Sequence, residues 1–432
     1  VGLGKTIEAG LIWTELRARF DMRRLLIVCP AILREKWRDE LAYRFGVDAR
    51  IVNAAELLDE IERGAIWSSD GRALIASYQG LRPPRGWRPT ARSTDSKRQN
   101  QARLADFLSK QAESDALLDM VVFDEAHYMR NSDSATWRIG ELLEGVSNYQ
   151  IMLTATPINL KNRDLFNLLR LLDPDQFGDE IDFEQALEAN RPLVAARDAA
   201  LDYKAGAEDL NRHLLTALEH PRLMHSRQLK AIIDDKPTMK TLADRQYRVR
   251  IADSLERINL LSHVVTRTRK RDVHANRVQR EVSRQSVEMT EAERDLYEMV
   301  THTIREFAWE RDISDGFLLA SPQRQITSAP AAVIEAWAKG GRYTSEQARD
   351  QEEDLENISD DIDRIEDIRP LRSLLASRIP NRVDLDELRR NDSKFNRLKS
   401  VVVEHFSEHP VEKIIVFTSF RATARYLLER LN

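Results

Sequence analysis

Met120-Val121-Val122-Phe123-Asp124-Glu125-Ala126-His127 is the stretch on which the reading of this chain turns. Four consecutive apolar residues predict a strand buried on both faces, and Asp124 then stands at its carboxyl end, where open α/β sheets bind ligands. Outward from it, Leu25–Cys29 (ended by Pro30), Ala73–Ala76 and Gln150–Leu153 read as further strands. Between them Ile7, Leu11, Ile12, Leu16 and Phe20 recur at helical spacing, and Ile32 to Phe45 reads as a second helix. Strands alternating with helices predict an α/β fold with a parallel sheet covered on both faces.

The chain opens on Val1-Gly2-Leu3-Gly4-Lys5-Thr6, the back half of G-x-x-x-x-G-K-[ST]. The first glycine of that loop and its feeding strand are expected before residue 1, so the sequence reads as part of something longer. Glycines let backbone N–H groups face inward and cradle phosphates, here at the N-terminus of the Ile7–Phe20 helix. In this reading Gly2, Leu3, Gly4, Lys5 and Thr6 bind ATP, with Lys5 against the β- and γ-phosphates and the Thr6 hydroxyl on Mg²⁺. Asp124 would hold the same Mg²⁺, and Glu125 would orient and deprotonate the attacking water. Either motif alone has a plain structural reading, as a glycine turn or as a capped acidic helix start. Together they supply both halves of a metal–triphosphate site. Leu153-Thr154-Ala155-Thr156-Pro157 follows the next strand, and its hydroxyls can hydrogen-bond the carboxylate motif beside them.

A length of 432 residues accommodates two or three domains. The net charge of −5 means that any nucleic-acid binding must come from local basic patches. Cys29 is the one cysteine, which excludes an internal disulfide or a cysteine-based zinc site and suits a reducing cytoplasm. No apolar run is long enough to cross a bilayer, and no membrane partner is expected.

Helical periodicity takes over between residues 160 and 310. An acid-rich stretch at 344–367 reads as a solvated helix or insertion, and Lys413–Thr418 reads as a strand followed by an Arg421–Leu431 helix. Arg82, Arg85, Arg88, Arg92, Lys97, Arg98 and Arg103 crowd one segment, which reads equally as a phosphate-contacting loop or an ordinary surface loop. Trp13, Trp37, Trp137 and Cys29 sit among aliphatic neighbours and read as core.

The motif order resembles the Swi/Snf-type DNA translocases of helicase superfamily two. Gly2–Gly10 looks like motif I, Ile27-Val28-Cys29-Pro30 with Trp37 like motif Ia, and Ser77-Tyr78 like the following DNA-contact motif. Arg130-Asn131, Asn167–Pro174, the basic segment Arg267-Thr268-Arg269-Lys270-Arg271, Ser393-Lys394-Phe395 and Lys413–Phe420 also match. The pattern is nearest to the bacterial branch, which includes an RNA-polymerase-associated translocase and helicase-like components of phage-defence and restriction systems. The resemblance implies two RecA-like lobes that close on ATP and walk along double-stranded DNA. RNA polymerase or defence-system subunits would be the further partners. It implies coupling roles for His127, Thr154 and Thr156, and DNA contacts from Ser77, Tyr78, Arg267, Arg269 and Lys270. It further implies a first lobe at 1–160, a helical extension at 161–275, an insertion or linker at 276–392 and the start of a second lobe at 393–432. The arginine fingers of the second lobe are then expected beyond residue 432, and low turnover is expected of these residues alone.

Two other readings stay open on the sequence: a strand-separating DNA or RNA helicase with the same first lobe, and a non-catalytic scaffold built on a degenerate ATPase lobe. Intact Lys5, Thr6, Asp124 and Glu125 speak against degeneracy.

Overall fold

The computed structural model describes residues 4–63, 72–84, 86–88, 96–111, 116–154, 162–266, 282–311, 315–339 and 365–431. Two compact units divide the chain, Val1–Arg277 and Val278–Asn432.

In the first unit β1 (Leu25–Cys29), β2 (Ala49–Ile51), β3 (Ala73–Ser77), β4 (Leu118–Asp124) and β5 (Ser147–Leu153) form a parallel sheet in the order β2-β3-β1-β4-β5. β1, β3 and β4 are buried along their whole length, in keeping with the apolar runs Leu25–Cys29, Ala73–Ala76 and Met120–Phe123. Side chains alternate between two cores. Leu26, Val28, Leu74, Ala76, Val121 and Phe123 join one cluster, while Leu25, Ile27, Cys29, Ile75, Met120 and Val122 join the other. Helices α1 (Lys5–Phe20) and α2 (Arg34–Phe45) bury Trp13, Trp37 and Leu41 in the second cluster. On the first cluster lie α3 (Ala54–Arg63), the single turn α4 (Tyr78–Leu81), α5 (Ser96–Gln111) and α6 (Ala135–Glu144).

The four expected strands are present, with β3, β4 and β5 running longer than the apolar runs alone indicate. β2 was not foreseen, because three residues at a sheet edge carry no periodic signal. α1 and α2 lie close together. A Cβ on Gly10 would come within 2.2 Å of the Phe45 ring, so glycine is what lets α2 sit against the start of α1.

After α7 (Asn162–Leu172) the same unit continues as α8 (Glu180–Leu201), α9 (Ala207–Glu219), α10 (Arg227–Asp234) and α11 (Arg245–Ile258), which enclose an Ala- and Leu-rich core of their own. Arg248, 3% exposed, donates to the Ala200 and Asp202 carbonyls at 2.9 and 3.0 Å, closing the end of α8.

In the second unit α12 (Glu291–Glu310), α13 (Asp315–Ser328), α14 (Pro330–Lys339), α15 (Ile365–Arg378), α16 (Leu385–Arg390), α17 (Ser393–Glu408) and α18 (Arg421–Leu431) are the helices among the described residues. Phe395 and Tyr426 enter the same core as Leu296, Val300 and Ile334, so the segment from residue 393 shares its interior with the helices before it. One sequence expectation fails here. Lys413–Thr418 forms no ladder, and Ile415 and Phe417 are 74% and 89% exposed. An extended apolar run becomes a strand only where another strand satisfies its N–H and C=O groups, and the described residues of this unit offer none.

Candidate active site

The register of the sheet brings the motifs together. Cys29 pairs with Ser77, Val28 with Phe123 and Asp124 with Leu153, so the segments after β1, β3, β4 and β5 leave the sheet at one level. Gly4 precedes α1 with φ 86° and open space around the position of a Cβ. No side chain caps α1, so its first N–H groups are left for a ligand, and the helix dipole favours an anion there. Thr6 is half-exposed in the first turn.

Lys5 Nζ stands 3.2 Å from Glu125 Oε1 and 3.8 Å from Asp124 Oδ1, although 120 residues separate Lys5 from Glu125. The structure thus brings the two sequence motifs to one place. Glu125 occupies the left-handed region at φ 52°, which a non-glycine residue adopts at a cost of about 1–3 kcal/mol, and its N–H donates to Asp124 Oδ1 at 2.9 Å. Its other oxygen faces His127 Nδ1 at 3.3 Å, and Thr154 Oγ1 lies 3.5 Å from the same nitrogen. A continuous polar path therefore runs from Lys5 through Glu125 and His127 to Thr154. Half-exposed Lys5, Glu125 and His127 leave this path open to a ligand.

The donor set suits the expected nucleotide and metal. A hydroxyl and a carboxylate are the hard oxygen ligands that Mg²⁺ takes, and an uncapped helix start beside a lysine suits phosphates. Among the described residues no group of three His, Cys, Asp or Glu side chains is placed to hold a metal by itself.

Several expected residues behave differently. Ser77 and Tyr78, read as DNA contacts, are 6% and 2% exposed. Ser77 Oγ accepts from the Gly80 N–H at 3.1 Å, and the Tyr78 hydroxyl donates to the Asp124 carbonyl at 2.9 Å. Both side chains are used inside the lobe because the tight turn after β3 points them inward. Burial, then the nearby Asp124 carboxylate, hold the Tyr78 phenol well above its ordinary pKa. Trp37 is core as expected, but its Nε1 also donates to Asp124 Oδ2 at 2.9 Å. No local signal marks that bond, which spans 87 residues. Burial, reinforced by Asp124, pushes the Cys29 thiol up to about 12, which agrees with a packing role.

Tyr78 stacks on Phe123 and Tyr128, and Tyr128 on His127, with centroids 6.5, 5.8 and 4.9 Å apart. Asn167 Nδ2 in α7 donates to the Arg130 carbonyl at 2.8 Å, joining two segments on which the family resemblance partly rests. Arg88 and Arg103 of the basic segment are exposed, and Trp87 Nε1 anchors that segment to Asp106 at 2.9 Å. Gly2, Leu3, Thr156, Arg267, Arg269 and Lys270 lie outside the described residues.

A family model described as "SNF2-related domain" matches residues 1–332. RNA polymerase-associated protein RapA of Serratia proteamaculans is 31% identical over 48% of this chain and 20% of its own length. RapA of Yersinia enterocolitica is 32% identical over 45% of this chain and 18% of its own. The chain thus spans about a fifth of the length of the curated relatives it matches. Among solved structures, the Sulfolobus solfataricus SWI2/SNF2 ATPase core in complex with dsDNA is similar at 15% identity and a TM-score of 0.30, over 54% of this chain and 57% of that one.

Proposed function

Since the chain belongs to the SNF2-related domain family, we propose that it is the nucleotide-binding core of an ATP hydrolase that moves along double-stranded DNA without separating the strands. The observation that carries the proposal is the meeting of Lys5 with Glu125 and Asp124 at the carboxyl end of β4.

Lys5 exchanges the Glu125 carboxylate for the β- and γ-phosphates, aided by the uncapped N–H groups at the start of α1. Thr6 and Asp124 would hold Mg²⁺, which when bound would offset the charge that develops on the phosphates. Glu125, freed from Lys5, orients the attacking water and takes its proton. His127 and Thr154 carry the state of Glu125 to the segment after β5, where Thr156 follows. Duplex DNA is held through phosphates, with Arg267, Arg269 and Lys270 as contacts. That assignment makes binding independent of base sequence and steeply dependent on salt. The names of the relatives make RNA polymerase the protein partner to test before others, and a cytoplasmic location agrees with it. No helix among the described residues is long and apolar enough to cross a membrane.

The test is ATP turnover by the protein at its natural length, with and without linear duplex DNA, beside triplex-displacement and forked-duplex unwinding assays. Stimulation by duplex and release of the third strand without unwinding are expected. Efficient strand separation, or stimulation by RNA alone, would replace the proposal with a helicase. Absence of turnover under every condition would leave a scaffold.

A further inference from the structure

Asp124 is gripped from two sides by aromatic donors that stand outside the recognised nucleotide motifs. Trp37 sends its indole N–H to Oδ2, and the Tyr78 hydroxyl takes the backbone carbonyl of the same residue, each at 2.9 Å. Indole nitrogen donates and never accepts, so the bond to the carboxylate has one direction. Both aromatic residues are 2% exposed, so water does not compete for either bond. Oδ1 is engaged separately by the Glu125 N–H at 2.9 Å. With a fixed donor on each oxygen and the main chain pinned, the plane of the carboxylate is set before any ligand arrives.

Packing alone does not account for Trp37. Its ring fills a core with Cys29, Leu41 and Val122, a task that phenylalanine also performs, whereas only the indole N–H answers the buried carboxylate. Trp37 and Tyr78 come from the segments after β1 and β3, of which β1 pairs with β4 and β3 is the next strand beyond it. Two neighbouring connections thus converge on one acidic residue.

We infer that Trp37 is a positioning residue that orients the Asp124 carboxylate for a divalent cation, with Tyr78 holding the backbone of the same residue in place. The inference rests on the reading of Asp124 as the residue that holds Mg²⁺. Partners that orient a metal-binding side chain change metal affinity by roughly 10–100-fold when removed.

The experiment measures Mn²⁺ binding in the presence of ADP by electron paramagnetic resonance, on the protein at its natural length, where no turnover intervenes. Trp37→Phe is expected to weaken Mn²⁺ roughly tenfold, leave ADP affinity in EDTA unchanged, and require more Mg²⁺ for half-maximal turnover. Benzothienylalanine at position 37, which keeps the indole shape without the N–H, should do the same and guards against a folding defect. Tyr78→Phe should give a smaller loss, roughly threefold, since it frees only the main chain. Asp124→Asn serves as the reference. If Asp124→Asn loses Mn²⁺ while both position-37 variants bind it like the wild type, the positioning role is overturned and the reading of Asp124 stands. If Asp124→Asn itself binds Mn²⁺ normally, both are overturned.

Discussion

Asp124 in the first unit and Asp392 in the second have nearly the same partners and opposite prospects. Each accepts an aromatic donor, Trp37 Nε1 at 2.9 Å or the Tyr426 hydroxyl at 2.8 Å. Each accepts a backbone N–H, from Glu125 at 2.9 Å or Phe395 at 2.7 Å, and each has a cation at the limit of ion pairing, Lys5 at 3.8 Å or Arg430 at 4.0 Å. The difference lies in the cation. Arg430 is laid over the Phe395 ring at 3.8 Å and also bonds the Tyr426 hydroxyl, so it is tied to two neighbours of Asp392 in the same core. Lys5 is half-exposed at the mouth of an uncapped helix and shared with a second carboxylate. A buried carboxylate is structural when its partners are all committed, and available for chemistry when one of them can be exchanged for a ligand.

Breaking the exchangeable side should give the largest effects. Glu125→Gln should lower single-turnover hydrolysis by about 10²–10⁴-fold, the usual contribution of a general base, while fluorescent-nucleotide binding persists. Near-normal turnover would remove Glu125 from its assigned role. Lys5→Ala should instead act on affinity, weakening nucleotide binding roughly 10–100-fold, as the loss of a charge-assisted contact to phosphate implies. Equal binding by wild type and Lys5→Ala would mean that Lys5 never leaves Glu125.

Breaking the committed side should cost stability and spare the nucleotide. Asp392→Ala removes the N-cap of α17, the partner of Tyr426 and a counter-charge of Arg430 together, and about 3 kcal/mol is expected. Hydrogen exchange across α12 and α17 should report it, because Glu293 binds the Ser393 N–H and hydroxyl at 3.0 and 2.7 Å. Unchanged protection, or a loss of nucleotide affinity as large as that of Lys5→Ala, would dissolve the contrast between the two aspartates. Tyr426→Phe leaves one acceptor unmet and should cost about 1–2 kcal/mol by the same measurement.

Asp119, near the opposite end of β4 from Asp124, gives a pH-sensitive test. Burial disfavours its charge, but the Arg24 side chain and the N–H groups of Arg23 and Arg24 outweigh that, so its carboxyl is held below the usual range. A lowered folded-state pKa contributes stability that is present above the unfolded value and lost as pH falls through the folded one. The stability gap between wild type and Asp119→Asn, about 1–2 kcal/mol at neutral pH, should therefore close on acidification in urea melts. A gap that widens with acid would reverse the sign assigned here.

β1, β3 and β4 were legible because each contains an unbroken apolar run (Leu25–Cys29, Ala73–Ala76 and Met120–Phe123) followed by a residue that ends it: Pro30, Ser77 and Asp124. The half-loop Gly4-Lys5-Thr6 and Asp124-Glu125-Ala126-His127 were legible for a related reason, since phosphate and metal chemistry demand particular residue types at short spacing. Lys413–Thr418 misled because its apolar run Ile414–Phe417 is like Met120–Phe123 of β4 while its surroundings are not, and a strand is a property of at least two segments. Ser77 and Tyr78 were correctly placed at the end of a strand, yet the direction of their side chains depends on the turn that follows.

The sequence by itself determined the α/β class, the buried strands, the nucleotide motifs and the family, because all of these are written in residues close along the chain. Only the tertiary structure decided what surrounds Asp124 and Asp392. The bonds from Trp37, Tyr78 and Tyr426 span 87, 46 and 34 residues, and each exists because strand register or helix packing sets two remote atoms within hydrogen-bond reach. Local periodicity states which face of an element is buried. It carries no information about which buried donor meets which buried acceptor, and that pairing separates the aspartate open to a ligand from the one closed inside a core.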